Sequence, residues 1–145
     1  MACNATDIHL SERKYILDLF KDTGMLGCAP VPTPMLHNTK LSSTKGISLG
    51  DVQSISYRRL IGHLIYLTNT RPDISFSVNH LNQFVSHLTN EHQLATMCIL
   101  HYLKWTPGTC IFLHSKSPIQ LKAYSDYDWA TCLETHKSII GFSIY

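Results

Sequence analysis

Between Ser56 and Thr70 apolar side chains return at Tyr57, Leu60, Ile61, Leu64, Ile65 and Leu67. That spacing holds one face of an α-helix in a core, and Ser54 or Ser56 is available to cap its N-terminus. A second helical pattern runs from Arg71 to Leu88, with Pro72 suited to a first turn and Ile74, Val78, Leu81, Val85 and Leu88 as its stripe. A third runs from Asn90 to Lys104, where Asn90 with Gln93 offers a capping box and Pro107-Gly108 ends the element. Its buried candidates are Leu94, Met97, Cys98, Ile99, Tyr102 and Leu103. Three such helices on short connections predict a small bundle. Upstream, Asp7 to Ser11 alternates like a strand, and a helix from Ser11 carries Ile16, Leu19 and Phe20 until Gly24 stops it. From Cys28 to Gly50, Pro30, Pro32 and Pro34 and a run of Asn, Thr, Ser, Lys and Gly break both periods. This reads as an extended linker pinned by Val31, Met35 and Leu41. After Gly108 the period changes to two, predicting strands over Cys110–Leu113, Ile119–Tyr124 and Ser138–Tyr145, with Thr131 to Lys137 as a polar connection. The fold class is therefore α+β.

Composition adds bounds. The chain has 145 residues, 44% of them hydrophobic and 15% charged, which suits one small core and argues against disorder. Ile61 to Leu67 is interrupted by Gly62 and His63 and is far shorter than the roughly 20 residues of a membrane span. The N-terminus lacks the basic start and apolar run of a secretory signal, so an intracellular location, cytoplasm or nucleus, is expected with no membrane partner. The five cysteines, Cys3, Cys28, Cys98, Cys110 and Cys132, contain no C-x-x-C pair and suggest neither a disulfide framework nor a zinc knuckle. His80, His87 and His92 do not have the i, i+4 spacing of a helical metal site. Charge is uneven: residues 57 to 122 carry six Lys/Arg against two Asp/Glu, while residues 1 to 56 carry five of each and 123 to 145 one against three. An excess of that size is compatible with an ordinary solvated surface and does not by itself define a nucleic-acid site.

Ordered short motifs carry more. Ser11-Glu12-Arg13-Lys14-Tyr15, Thr23-Gly24-Met25-Leu26-Gly27-Cys28, Pro32-Thr33-Pro34-Met35 and Tyr57-Arg58-Arg59-Leu60-Ile61-Gly62 come first. Leu64-Ile65-Tyr66-Leu67-Thr68, Thr70-Arg71-Pro72-Asp73-Ile74-Ser75-Phe76, Tyr102-Leu103-Lys104, Thr106-Pro107-Gly108 and Tyr124-Ser125-Asp126-Tyr127-Asp128-Trp129-Ala130 follow. In sequence and order they resemble the Pol polyproteins of copia-type retrotransposons over nearly the whole chain. The resemblance implies that residues 1–50 hold the end of a reverse-transcriptase palm and its linker, 51–108 a thumb-like helical bundle, and 109–145 a connection and the first strands of a ribonuclease H. The parent would be an RNA-directed DNA polymerase with ribonuclease H, using Mg²⁺.

The implied active sites are incomplete in these residues. The polymerase's Tyr-Val-Asp-Asp hairpin does not occur in the sequence. Ribonuclease H needs four carboxylates around two metal ions, and by resemblance Asp126 is the first of them. On a strand Asp128 shares its face and is a possible neighbour, and only Glu134 follows among acidic residues. Asp126 would thus bind metal only in a complete site, no cofactor is expected for this stretch alone, and neither reaction is expected of it. The chain ends inside its last expected strand, an arrangement that a truncated, incomplete hairpin would give. The ending also departs from the family: Tyr127 stands where many relatives have Ala, Thr131 where they have Gly, and His136-Lys137-Ser138-Ile139 where they have Arg-Arg-Ser-Thr.

A polymerase thumb lays a helix along the primer–template duplex. The expected contacts are Arg58, Arg59 and Gly62, with His63 beside them and Lys104 ending the third helix. Arg71, followed by Pro72 and Asp73, reads more readily as a cap or an ion pair with Asp73 than as a phosphate ligand. The expected partners are an RNA–DNA or DNA duplex, held weakly through phosphates, and the rest of the Pol polyprotein.

Overall fold

The computed structural model describes residues 2–3, 7–36, 41–114, 116, 118, 120–128 and 139–144, with side chains throughout these except at 2–3, 126–128 and 139–144. The chain is α+β. Strands β1 (Ala2–Cys3) and β2 (Asp7–Leu10) precede helix α1 (Arg13–Asp22); α2 (Asp51–Leu67), α3 (Ser75–Asn82) and α4 (Asn90–Trp105) follow, then β3 (Ile111–His114), β4 (Ala123–Asp128) and β5 (Ile139–Ile144). No helix among the described residues is long and apolar enough to cross a membrane.

Helix α1 ends as its sequence dictates. Gly24 takes the left-handed conformation, φ +69°, and the Met25 and Gly24 amides donate to the Phe20 and Lys21 carbonyls at 2.9 and 3.1 Å. This Schellman arrangement satisfies the last carbonyls of the helix. Ile16, Leu19 and Phe20 are buried, and they share one core with α2, α3 and α4.

Three helix boundaries differ from the periodic pattern. Helix α2 begins at Asp51, five residues before the apolar stripe, because Gly50 donates its N–H to Gln53 Oε1 at 3.4 Å and Asp51 suits the positive end of the helix dipole. Val52 and Ile55 in this first turn are exposed, so periodicity could not reveal them. The second pattern is only partly α-helical: Pro72–Ile74 is a 3₁₀ turn, α3 stops at Asn82, and Phe84, Val85 and His87 donate three residues back. Tight turns of three residues keep Val85 and Leu88 on the apolar side, which preserves the stripe while ending the helix. The N-cap of α4 is Thr89, whose N–H and hydroxyl meet His92 Nδ1 at 3.0 and 2.9 Å, in place of the Asn90 and Gln93 box. Its buried stripe is also rotated from the expected one: His92, Ala95, Thr96, Ile99, Leu100 and Leu103 are inside, Leu94 is exposed, and Met97, Cys98 and Tyr102 are half-buried. On α2, Ile65 faces out as well.

The linker is pinned, as its apolar anchors suggested. Leu41 is buried and Met35 packs on the core. Val31 donates to the His101 carbonyl at 3.2 Å, Leu49 to Leu88 at 2.9 Å, and Asn90 to Ile47 at 2.9 Å. Gly46 sits at φ +91°, and a β-carbon there would lie 2.4 Å from Asn90 Oδ1, so only glycine fits this close approach.

Strand β3 joins β2 rather than the strands that follow it. The first sheet is antiparallel in the order β1-β2-β3, with Ile8 opposite Leu113 and His9 opposite Phe112. Alternation marks a strand but carries no information about its partner. Strands β4 and β5 form a separate antiparallel pair, with Asp126 opposite Gly141 and Asp128 opposite Ile139. The β4 strand starts at Ala123, later than expected, and the connection 131 to 137 lies outside the described residues.

Between α2 and the end of α4 lies an ion pair whose cation is buried and whose carboxylate meets solvent. Arg71 is 1% exposed. Its Nε and Nη2 donate to the two Asp73 carboxylate oxygens at 2.9 and 2.7 Å, and its Nη1 and Nη2 reach the Thr106 carbonyl and hydroxyl at 2.9 and 2.6 Å. Tyr102 adds a hydrogen bond to Asp73 at 2.8 Å and its ring lies 5.7 Å from the guanidinium. Burial alone would raise the Asp73 pKa, but the hydrogen bonds from Arg71 and Tyr102 and the nearby positive charge outweigh it and hold the carboxyl below its ordinary 3.8. Stability from this group is therefore complete above 3.8 and is lost as pH falls through the lowered folded-state value. Because Asp73 is partly solvated, Arg71→Met should cost about 2–3 kcal/mol in urea unfolding at pH 7, and the difference from wild type should shrink on acidification below pH 3.8.

Candidate nucleic-acid interface

Successive helical positions are rotated by about 100°, so the adjacent Arg58 and Arg59 leave α2 on different flanks. Both are exposed, while Tyr57, Leu60, Ile61 and Leu64 turn the opposite side of the helix into the core. A cleft lies on each flank.

Arg58 lines the first, a space of about 630 Å³ between α2, the linker and the turn after α3. Its Nε donates to the Val85 carbonyl at 3.1 Å, which anchors the guanidinium. Ser43, Thr44, Ser48, Ser54 and Ser86 line the same space together with His87 and one acid, Asp51. The Ser54 hydroxyl donates to the Leu49 carbonyl, and those of Thr44 and Ser86 pair with Ser42 and His87, a partly exposed polar wall that a stronger acceptor could recruit. A tethered guanidinium among hydroxyl donors is a suitable environment for phosphate oxygens. The sequence offered His87 only as a rejected metal ligand and Ser54 only as a cap, and did not bring them together with the other hydroxyls. Their signal was the Ser/Thr-rich run of the linker, whose fold against the α3 turn no local pattern reveals.

Arg59 lines the second cleft, of about 320 Å³, between the end of α1, α2 and the first half of α4. His63 lines it too, but this ring is half-buried and engaged: its Nδ1 is 2.6 Å from the Tyr15 hydroxyl, tying α2 to α1. Burial is the larger cause, ahead of Tyr66 and Glu12, that raises the Tyr15 pKa and keeps that hydroxyl protonated.

Gly62 follows one turn after Arg58 and Arg59 on exposed helix, and a β-carbon there would meet nothing within 4 Å. Among the described residues, no packing requires this glycine. Lys104, in contrast, is committed internally, with Nζ donating to the Leu26 carbonyl at 2.7 Å and lying 5.7 Å from the Phe20 ring. Arg71 is enclosed by Asp73 and Thr106, as its sequence context suggested.

Asp126 and Asp128 both occur in β4, but their side chains lie outside the described residues. Among the described residues no three His, Cys, Asp or Glu side chains come together in a way that could hold a metal ion. The residues described do not by themselves build a two-metal centre.

No protein-family model matches the chain, and no solved structure matches it. Curated proteins do. The chain is 46% identical over 140 residues, 97% of its length, to the retrovirus-related Pol polyprotein from transposon RE1 of Arabidopsis thaliana. It is 34% identical over 138 residues, 92% of its length, to the corresponding polyprotein from transposon TNT 1-94 of Nicotiana tabacum.

The chain belongs to the Pol family of copia-type retrotransposons.

It spans 9% of the RE1 polyprotein and 10% of the TNT 1-94 polyprotein. A shorter relative is an uncharacterized mitochondrial protein of Arabidopsis thaliana, 46% identical over 78 residues that make up 54% of this chain and 70% of that protein. This copia-type Pol chain thus carries its two exposed arginines on different flanks of one helix, beside a glycine with open space around it.

Replacing Gly62 by alanine removes the conformational entropy cost of a mid-helix glycine without a clash. Gly62→Ala should raise the unfolding free energy by about 0.5–1 kcal/mol in urea titration. A lower stability would mean that Gly62 has an internal packing role.

Proposed function

We propose that residues 51–108 act as the thumb-like helical bundle of a copia-type Pol protein and hold an RNA–DNA or DNA duplex through its phosphates, and that the 145-residue chain by itself performs neither polymerisation nor RNA cleavage. The observation that carries this reading is the divergence of Arg58 and Arg59 into two clefts astride the exposed ridge of α2. A phosphate backbone presents repeated negative charge, and each phosphate neutralised releases counterions, so such a grip is strong at low salt and indifferent to sequence. Gly62 lets a backbone approach the ridge closely. His63, on the wall of the Arg59 cleft, and Lys104 also brace the ridge through Tyr15 and the segment after α1.

The β4–β5 pair fits the opening hairpin of a ribonuclease H, with Asp126 as the first carboxylate of that site. Mg²⁺ would supply charge stabilisation in the parent enzyme when held by Asp126 together with further carboxylates. The remainder of the Pol polyprotein is the natural partner. The lack of a Tyr-Val-Asp-Asp sequence among these residues and a single matched carboxylate support the reading that they alone carry neither chemistry.

Fluorescence anisotropy with a labelled RNA–DNA duplex should show weak binding that falls steeply between 50 and 200 mM salt, on the pattern typical of roughly 2–4 phosphate contacts. Replacing Arg58 and Arg59 together by alanine should lower the salt slope by about 2 and affinity by about tenfold or more. Binding that ignores salt and both substitutions contradicts the grip. Mg²⁺-dependent DNA synthesis or RNA cleavage by the purified chain contradicts its lack of catalysis.

A further inference from the structure

The cleft that holds Arg59 differs from its neighbour in chemistry. Its floor is made by buried side chains, Leu19, Tyr57, Leu60 and Thr96, and its rim by exposed polar ones, including Gln53, Ser56 and Arg59. A volume of about 320 Å³ lies at the small end of the range for small-molecule sites, which combine an apolar lining with a few orienting polar groups. An aliphatic side chain entering it would cover the floor and leave unanswered the guanidinium of Arg59, the amide of Gln93 and the N–H donors of Gln53, whose oxygen already accepts from Gly50. A phosphate alone would answer Arg59 and leave the floor unused. A nucleotide answers both: its flat base has apolar faces and a hydrogen-bonding edge, and it carries its own phosphate.

We infer that the cleft between α1, α2 and α4 takes one unpaired nucleobase, with Arg59 on the phosphate of that nucleotide and the Gln53 and Gln93 amides on the base edge. The inference deepens the reading of α2 as a nucleic-acid ridge and rests on it for the strand that delivers the base. Arg58, in the hydroxyl-lined cleft across the helix, holds backbone, while the Arg59 cleft accepts a base turned out of the stack. Asp22 on the same rim supplies an acceptor for an exocyclic amine. Asp22 and Arg59 are both exposed, so the phosphate has to lie on the Arg59 side of the rim, with Asp22 toward the base. Site occupancy therefore requires a frayed end, a mismatch or a single-stranded stretch, since a paired base is not available to leave the duplex without an unstacking cost.

Met97 lines the cleft, whereas Met25 and Met35 pack elsewhere against the core, so methyl NMR of the methionine-labelled chain separates binding from general change. Deoxyadenosine 5′-monophosphate should shift the Met97 methyl saturably and leave Met25 and Met35 in place. It should bind several-fold more tightly than deoxyribose 5-phosphate or N-acetyl-leucine amide. Arg59→Ala should weaken the nucleotide several-fold, and Ser56→Phe, which fills the space from its exposed rim, should abolish the shift while unchanged Met25 and Met35 signals report an intact fold. The comparison of the three probes on the wild-type chain stands whether or not either variant folds. A silent Met97, equal binding of the base-free phosphate, or tighter binding of the leucine amide would overturn the inference. If Met97 is silent while salt-dependent duplex binding persists, the base cleft fails and the grip survives. If Met97 responds while duplex binding is absent, the grip fails and the base cleft survives.

Discussion

A guanidinium almost wholly withdrawn from water fixes the arrangement on which everything else rests. Burying an unpaired cation costs several kcal/mol, so Arg71 constrains every element able to satisfy it. It takes both oxygens of Asp73, two residues on, and the carbonyl and hydroxyl of Thr106, at the far end of α4. The exit from α2 and the exit from α4 are thereby held together. Pro72 shapes the intervening turn, and Tyr102 caps the carboxylate from α4. The fork geometry matters: a lysine could meet one of these acceptors but not the set.

With the two helices held in place, the segments without regular structure define the surface. The linker runs back along the helices, bonded to His101 in α4 and to Leu88 and Asn90 at the α3–α4 turn. Gly46 permits this close passage. One flank of α2 is thus walled by hydroxyl-bearing linker residues and the other by α1 and α4. The same ridge presents one arginine to a polar space and its neighbour to a space with an apolar floor. Local rotation along a helix and the placement of the linker are sufficient to make this difference.

Much of the architecture was legible because it depends on local chemistry. Gly24 ends α1 where a left-handed residue was needed, and Tyr57, Leu60, Ile61, Leu64 and Leu67 enter the core on the helical period. The pairing of Arg71 with Asp73 was readable from their proximity. What was hidden depends on distant partners. The Thr106 contact, the pairing of β3 with β2, and the hydroxyl wall beside Arg58 all join residues far apart in sequence. Leu94 was expected inside because it is apolar, but its phase on α4 places it outside, and Ala95, Thr96 and Leu100 take the buried positions. His63 and Lys104 were expected beside the interface, and His63 does line the cleft that holds Arg59. Their hydrogen bonds to Tyr15 and to the Leu26 carbonyl join residues far apart in sequence and were not legible there. Gly62 was equally open to a packing or a surface reading, and the empty space at its missing β-carbon favours the surface.

The proposed duplex grip makes α2 the ridge on which nucleic acid rests. Hydrogen–deuterium exchange of the chain, with and without an RNA–DNA duplex at low salt, tests it most directly. The account predicts added protection in Asp51–Leu67 and in the linker residues 43–48, with little change in Ala123–Asp128. Protection confined to other elements, or no change at a duplex concentration that saturates binding, would contradict it.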